Sequence, residues 1–263
     1  CFARCGASRV TALPGGGSRL AVPHAVDGPK VTLGVAWFIG LLLALSVSPI
    51  LLSVILVPVA GAAAYQTARA WERHQPVDPV VAAVVGAGLA ASAAAGATGL
   101  GVACVVAGLG AGVYGYSTTG SSRVPPLRAA ELLLLAGWPV GLAAGSLLAL
   151  ALDQPQAFVS LVLLVSAYEV GDFIVASGSA NAYEGPIAAL AALALVAVGL
   201  HLVLPHPFTT TTMPVFAALA GVCAVLGQVG ASGILPTGTA FAPGLRRLDS
   251  YLLAAPLWLL LIR

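Results

Sequence analysis

Long apolar runs separated by short polar connectors make up most of the chain. A membrane-spanning helix needs roughly 20 apolar residues, and the runs 31–65 and 80–116 are each long enough for two. Ser48-Pro49 marks a hairpin in the first run, and the small residues 94–98 mark one in the second. Five more spans are predicted at about 130–151, 157–176, 187–204, 213–230 and 251–262. We therefore expect about nine spans.

Composition agrees with this pattern. The 263 residues are 59% hydrophobic and 8% charged, whereas a soluble globular domain carries about 25% charged residues. The alternating pattern and aromatic girdles of an outer-membrane barrel are absent, so helices are the remaining way to cross lipid. The sequence predicts an all-α bundle over residues 31–263, one transmembrane domain, preceded by a disordered leader at 1–30.

The basic residues predict an orientation. With the N-terminus placed in the cytoplasm, every Lys and Arg except Arg263 falls in the leader or in a connector on the same side. Basic residues near span ends are retained in the cytoplasm. We expect a plasma-membrane protein whose N-terminus and polar connectors face the cytoplasm.

Other features of the sequence limit what the protein can do. The four cysteines are scattered and predict neither a disulfide framework nor a zinc site. A net charge of +2 gives no reason to expect nucleic acid as a partner. No Walker or Rossmann glycine loop is present. Gly108 and Gly112 form a small-xxx-small pair, which predicts close helix packing there.

Glu169 and Asp172 fall near the cytoplasmic end of the apolar stretch 158–176. An acidic residue at the centre of a span costs about 2.5–3.5 kcal/mol. At a spacing of three they share one helix face, so the pair could line a metal-binding or proton-accepting site inside the bundle. The alternative is a helix that ends near Tyr168 and leaves both carboxylates in interfacial water.

A second polar region is predicted as a cytoplasmic loop from Gly227 to Ser250. Arg246, Arg247 and Asp249 lie beside the last span. Two arginines next to a carboxylate at a membrane surface suit a phosphate or an anionic lipid head group. The alternative is a positive-inside anchor followed by a helix-capping Asp249 or Ser250.

The C-terminal region resembles the phosphatidate cytidylyltransferases, or CDP-diacylglycerol synthases. That family ends in a motif like G-D-L-x-x-S, then L-P, then D-R-x-D-S and a closing A-A-P helix. The corresponding segments here are 227–232 (GQVGAS), 235–236 (LP), 247–250 (RLDS) and 252–256 (LLAAP). A further motif, D-x-x-A-Y-x-x-G followed by S-P-K-K-T-x-E-G, is echoed by 169–176 and 182–185.

This resemblance implies a reaction and a site. The family transfers CMP from CTP to phosphatidate, so the resemblance implies both as substrates and Mg²⁺ as cofactor. It implies that the residues that bind the metal and take part in catalysis are Glu169, Asp172 and Asp249. It implies that substrate is bound by Glu184, Ser232, Arg246 and Arg247.

Departures from the family pattern lead to alternatives. The basic K-R, K-D and K-K-T residues have no counterparts, since Ala180 and Asn181 replace the last two lysines and the first Asp of D-R-x-D falls on Arg246. A relative that has lost catalysis and binds a lipid or a partner is therefore an alternative. A small transporter using Glu169 and Asp172 as an ion relay is another. A homodimer is left open.

Overall fold

The computed structural model describes residues 29–72, 75, 77–118, 125–176, 184–203, 208–209, 211–237 and 240–262. The predicted leader lies almost wholly outside these residues, as do Ala180 and Asn181. Every regular element that is described is helical. The helices are α1 Pro29–Val47, α2 Pro49–Glu72, α3 Pro79–Ser92, α4 Gly96–Thr118, α5 Pro126–Asp153, α6 Pro155–Ala176, α7 Glu184–Val203, α8 Thr212–Ile234, α9 Pro243–Leu248 and α10 Tyr251–Ile262.

The all-helical architecture is confirmed, but the count of about nine spans is not. Within the described chain, six helical stretches are long and apolar enough to cross a membrane. They are Pro49–Glu72, Pro79–Thr118, Pro126–Asp153, Pro155–Val175, Glu184–Val203 and Thr212–Ile234. The apolar helices Ala36–Val47 and Tyr251–Ile262 are shorter. At 1.5 Å per residue, α10 is about 18 Å long, less than the roughly 30 Å hydrocarbon core.

The stretch Pro79–Thr118 is a hairpin. Ala93–Ala95 form a 3₁₀ turn, and Gly96 follows with φ 72°, a conformation that residues with a Cβ rarely adopt. At the open end, the Tyr114 hydroxyl accepts a 2.9 Å hydrogen bond from the Asp78 N–H. The chain therefore turns at the predicted small residues, and α3 and α4 lie antiparallel.

The central helix is α5, which packs on α2, α3, α4, α6 and α10. Gly137, Gly141 and Gly145 recur every fourth residue and face α3. A Cβ at these three positions would come within 3.1 Å of α3 backbone oxygens. This row is therefore the close helix contact that small residues permit.

The predicted close packing at Gly108 and Gly112 is wrong within the described chain. A Cβ at either glycine would meet nothing within 4 Å. The reason is that α4 packs on α5 through another side, on which Leu100, Ala111 and Gly115 are buried. Gly108 and Gly112 have the same four-residue spacing as the glycines of α5. Only the tertiary packing decides which row of small residues lies against another helix.

The charged residues gather at one end of the bundle, here called the charged end. At this end α2, α4, α6 and α8 finish and α3, α5, α7, α9 and α10 begin. Contacts across it include a 2.8 Å hydrogen bond from the Trp71 indole to the Ile234 carbonyl and one of the same length from Arg128 to Gln75. Among the described charged side chains, only Asp153 lies at the opposite end.

Aromatic side chains pack together at the opposite end. Phe208, Phe216 and Trp258 form an aromatic cluster there, with ring centroids 5.1–5.4 Å apart. Phe208 and Trp258 are buried. Offset and edge-to-face aromatic pairs add to the stability gained by burial, so this cluster fastens the far end of α10 to the start of α8.

Candidate functional site

The charged end contains a polar centre built from α6, α8 and the turn between α9 and α10. At its middle is Ser250, which is fully buried. Its hydroxyl donates a 2.7 Å hydrogen bond to Oε1 of Glu169 and accepts one of 3.2 Å from Nε2 of Gln228. The Ser250 N–H donates to Oδ1 of Asp249 at 2.8 Å. One small side chain thus joins three helical elements.

Helix α6 continues through both carboxylates to Ala176, so the alternative that it ends near Tyr168 is wrong. The reason lies in its packing on α7. Gly171 sits so close to α7 that a Cβ there would come 2.8 Å from the Ala189 Cα atom. Because α7 covers this last part of α6, Glu169 is held inside the bundle and reaches Ser250.

Helix α8 also extends further than predicted, to Ile234. The first part of the predicted loop from Gly227 to Ser250 is therefore helical, a correction to the sequence analysis. Gly227 explains the close packing, because a Cβ there would collide with the Asp249 carbonyl oxygen. The contact of α8 with the α9–α10 turn holds these residues in helical form.

Arg246 neutralises the same cluster. Its Nη1 donates a 3.1 Å hydrogen bond to Oγ of Ser232 and lies 3.8 Å from Oδ2 of Asp249. Ser232 in turn donates to the Gln228 carbonyl at 3.0 Å. The predicted substrate-binding residues Ser232 and Arg246 therefore adjoin the predicted carboxylate Asp249.

The carboxyl group of Asp249 is almost fully buried. Burial, together with the negative charge of Glu169, raises its pKa to about 7, against the opposing effects of Arg246 and of hydrogen bonds from Ser250. Asp249 is thus able to change its protonation state near neutral pH.

The side chain of Arg247 faces a different part of the structure from that of Arg246. It attracts Glu169 electrostatically, and its guanidinium lies beside α1, where a Cβ at Gly34 would be 3.5 Å from Nη1. Arg247 also lines a cavity between α1, α2 and α9. Of the two neighbouring arginines, one therefore faces the polar centre and the other faces a groove.

Besides Arg247, two predicted site residues take no part in the hydrogen bonds described around Ser250. Asp172 is one turn further along α6 and interacts with Tyr168, and Glu184 is exposed in the first turn of α7. In the part of the chain that the structure describes, no three His, Cys, Asp or Glu side chains are grouped to hold a metal ion. The predicted ligand set of Glu169, Asp172 and Asp249 is therefore not assembled.

Sequence reasoning missed Gln228 and the bridging role of Ser250. Gln228 is a lone amide in an apolar helix, four residues before Ser232, so both lie on one helix face. This four-residue spacing is the feature of the sequence from which Gln228 could have been predicted as a site residue. For Ser250 the sequence offers only the alternative of a helix cap at Asp249 or Ser250, and the bridging role depends on contact with Glu169 of α6, which is 81 residues distant in sequence.

Comparison with known protein families, curated proteins and solved structures finds no match to this chain. The class that the fold defines is that of a helical membrane protein, since six described stretches can cross a bilayer. The function has to be inferred from the polar centre.

Proposed function

We propose that this chain is a divergent membrane-embedded cytidylyltransferase that transfers CMP from CTP to a lipid phosphate such as phosphatidate, with release of pyrophosphate. The observation that carries the proposal is the bridge of Glu169 and Asp249 by Ser250, beside Arg246. These residues come from the separate segments that resemble the CDP-diacylglycerol synthases, and they meet at one place in the fold.

The donor set suits Mg²⁺ held jointly with substrate. Mg²⁺ is usually bound by one or two carboxylates and by substrate phosphates, and less often by a cage made only of protein groups. Glu169 and Asp249 both contact the Ser250 hydroxyl, so they would hold the ion as a pair. Bound Mg²⁺ would neutralise the charge that develops on phosphate oxygens during transfer.

The arginines would supply part of the remaining positive charge. Arg246 lies at Asp249, and Arg247 is attracted to Glu169. A guanidinium binds phosphate oxygens in a bidentate manner. Together they would take the places of lysines that the resembling family has and this chain lacks.

We further propose that the charged end faces the cytoplasm from the plasma membrane, where CTP is available. The support is the positive-inside distribution of Lys and Arg, together with the gathering of the described charged residues at one end of the bundle.

The test is an activity assay on purified protein in detergent with Mg²⁺, phosphatidate and labelled CTP. CDP-diacylglycerol should form, and Glu169→Gln and Asp249→Asn should each lower its rate at least 100-fold. The matched control is Glu131→Gln, because Glu131 is exposed and pairs with Arg128 at 2.7 Å on the surface. If the wild type yields no product while an authentic synthase does in the same detergent, the proposal fails.

A second candidate function is a non-catalytic lipid-binding relative. It is favoured by the neutralisation of Asp249 by Arg246 and by the absence of a three-ligand metal group in the described residues. The growth of a cell that depends on this protein distinguishes the enzymatic function from the lipid-binding one. Asp249→Asn should abolish growth if the protein is an enzyme and leave growth unchanged if it only binds.

A further inference from the structure

A groove with a volume of about 530 Å³ lies between α1, α2 and α9. Its walls are apolar apart from one charged side chain. They are formed by Trp37, Gly40, Leu41, Ile55, Val59 and Arg247, with small residues between them. The volume is within the range of small-molecule binding sites, roughly 300–1,000 Å³, and the apolar walls suit a hydrocarbon chain.

Arg247 gives the groove a polar end. Among the described residues, Arg247 makes no hydrogen bond and no ion pair within 4 Å, and Glu169 is the acidic group that attracts it. Arg247 is half-buried, so the five N–H donors of its guanidinium are only partly open to water, and a donor left without an acceptor is costly. An anionic group entering the groove would provide those acceptors.

The groove also adjoins the polar centre. Pro243 and Gly244 of α9 line it, and the Gly244 N–H is fixed to the Gln66 side chain on α2 at 2.8 Å. Two residues later in α9, Arg246 contacts Asp249. A ligand phosphate held by Arg247 would therefore lie between the groove and the carboxylates.

We propose that the groove between α1, α2 and α9 binds one acyl chain of an anionic lipid phosphate, with Arg247 bound to its phosphate. The lipid class is taken from the proposed function, but the binding itself does not need turnover. Charge complementarity selects the occupant, because a lipid with a net negative head group balances the charge of the guanidinium, whereas a zwitterionic lipid or an apolar protein helix does not.

Gly40 offers a way to fill the groove, and Gly199 offers a matched control. Gly40 lines it, and a Cβ at Gly40 would meet nothing within 4 Å. The Cβ of Gly40→Leu would thus be accommodated, and the rest of the side chain would take up ligand space. Gly199→Leu is the matched control, because Gly199 on α7 has the same free surroundings but is not a groove residue. Both changes replace a helical glycine by leucine, so both alter helix propensity equally.

The experiment is native mass spectrometry of the full protein in detergent, incubated with phosphatidate and phosphatidylcholine of identical acyl chains. The wild type should retain one phosphatidate at least fivefold more than phosphatidylcholine. Arg247→Gln should abolish this selectivity, and Gly40→Leu should lower phosphatidate retention at least fivefold. Gly199→Leu should behave as the wild type, and excess inorganic phosphate should not displace the lipid.

Each contrary result overturns the inference. Equal retention of both lipids by the wild type excludes a site that selects an anionic head group, and displacement by inorganic phosphate excludes a role for the acyl chain. A dimer that Gly40→Leu abolishes, with lipid retention unchanged, would make a second copy the occupant.

Failure of the groove and failure of the proposed function are distinguishable. Selective retention without CMP transfer would leave the groove site standing and remove the enzymatic proposal. If the double variant Arg247→Gln, Gly40→Leu transfers CMP and retains lipid normally, the enzymatic proposal stands and the groove site is excluded.

Discussion

The hydroxyl of Ser250 donates a 2.7 Å hydrogen bond to Glu169, a residue 81 positions earlier in the chain. This contact joins the end of α6 to the start of α10. It also brings two carboxylates to the same oxygen atom, since Oδ1 of Asp249 is 3.4 Å from the Ser250 hydroxyl. The stability of the polar centre should therefore depend on this one side chain.

Replacing Ser250 by alanine should destabilise the fold by about 1–3 kcal/mol, because Glu169 and the Gln228 amide both lose a buried partner. Thermal unfolding in detergent measures the effect. Ser46→Ala is the control, since the exposed Ser46 donates to the Leu43 carbonyl of its own helix and its loss should change stability by less than about 0.5 kcal/mol. Equal midpoints for the two variants would contradict the bridging role.

Gly227→Ala should destabilise the protein by at least about 1–3 kcal/mol, because the added methyl group collides with the Asp249 backbone and forces the helices apart. Gly230→Ala, on the same helix, adds a methyl group that meets nothing within 4 Å. It should be neutral, or stabilising by up to about 1 kcal/mol through helix propensity. Similar unfolding temperatures for both variants would show that α8 does not approach Asp249 closely.

Asp249 should make stability depend on pH. Its pKa is raised to about 7 in the folded protein and is about 4 in an unfolded chain. Between these values the folded state holds a proton that the unfolded state releases, so this contribution to stability is complete below pH 4 and is lost as the pH rises through 7.

Asp249→Asn should flatten this part of the profile of unfolding temperature against pH. Glu169 and Arg246 remain as charged neighbours in the variant, so the difference between the two profiles isolates Asp249. If wild type and variant lose stability in parallel between pH 4 and 7, Asp249 is not the titrating group.

Gly96→Ala should destabilise the hairpin of α3 and α4 by about 1–2 kcal/mol, because Gly96 has a positive φ of 72° that alanine adopts only with strain. Gly101→Ala, in the same helix and without a contact, is the control. Thermal unfolding measures both. A stabilising effect of Gly96→Ala would indicate one continuous helix over Pro79–Thr118.

The orientation can be tested by cysteine labelling of intact cells in a background without the native cysteines. With the charged end in the cytoplasm, Gln154→Cys at the opposite end should react with an impermeant maleimide, and Arg69→Cys should react only after lysis. Both positions are exposed, so accessibility within the protein does not separate them. The reverse pattern would invert the proposed topology.

The sequence alone determined that this is an all-helical membrane protein, because so few charges cannot form a water-exposed surface and lipid requires backbone hydrogen bonds within each segment. It also located both early hairpins, at Ser48 and near Gly96, since proline and glycine act through local backbone geometry. It selected Glu169, Arg246 and Asp249, because charged residues beside apolar spans are costly and therefore conspicuous.

Tertiary structure alone decided which of these residues meet. Ser232, Arg246 and Asp249 form one centre with Glu169, whereas Asp172 and Glu184 take no part in the hydrogen bonds described around Ser250. It also decided which glycines are contacts, namely Gly137, Gly141 and Gly145 in place of Gly108 and Gly112, and where α6 and α8 end. The physical reason is the same in each case. Helix packing depends on which face meets a distant segment, and in a chain that is apolar on nearly every face, hydrophobic periodicity does not encode that choice.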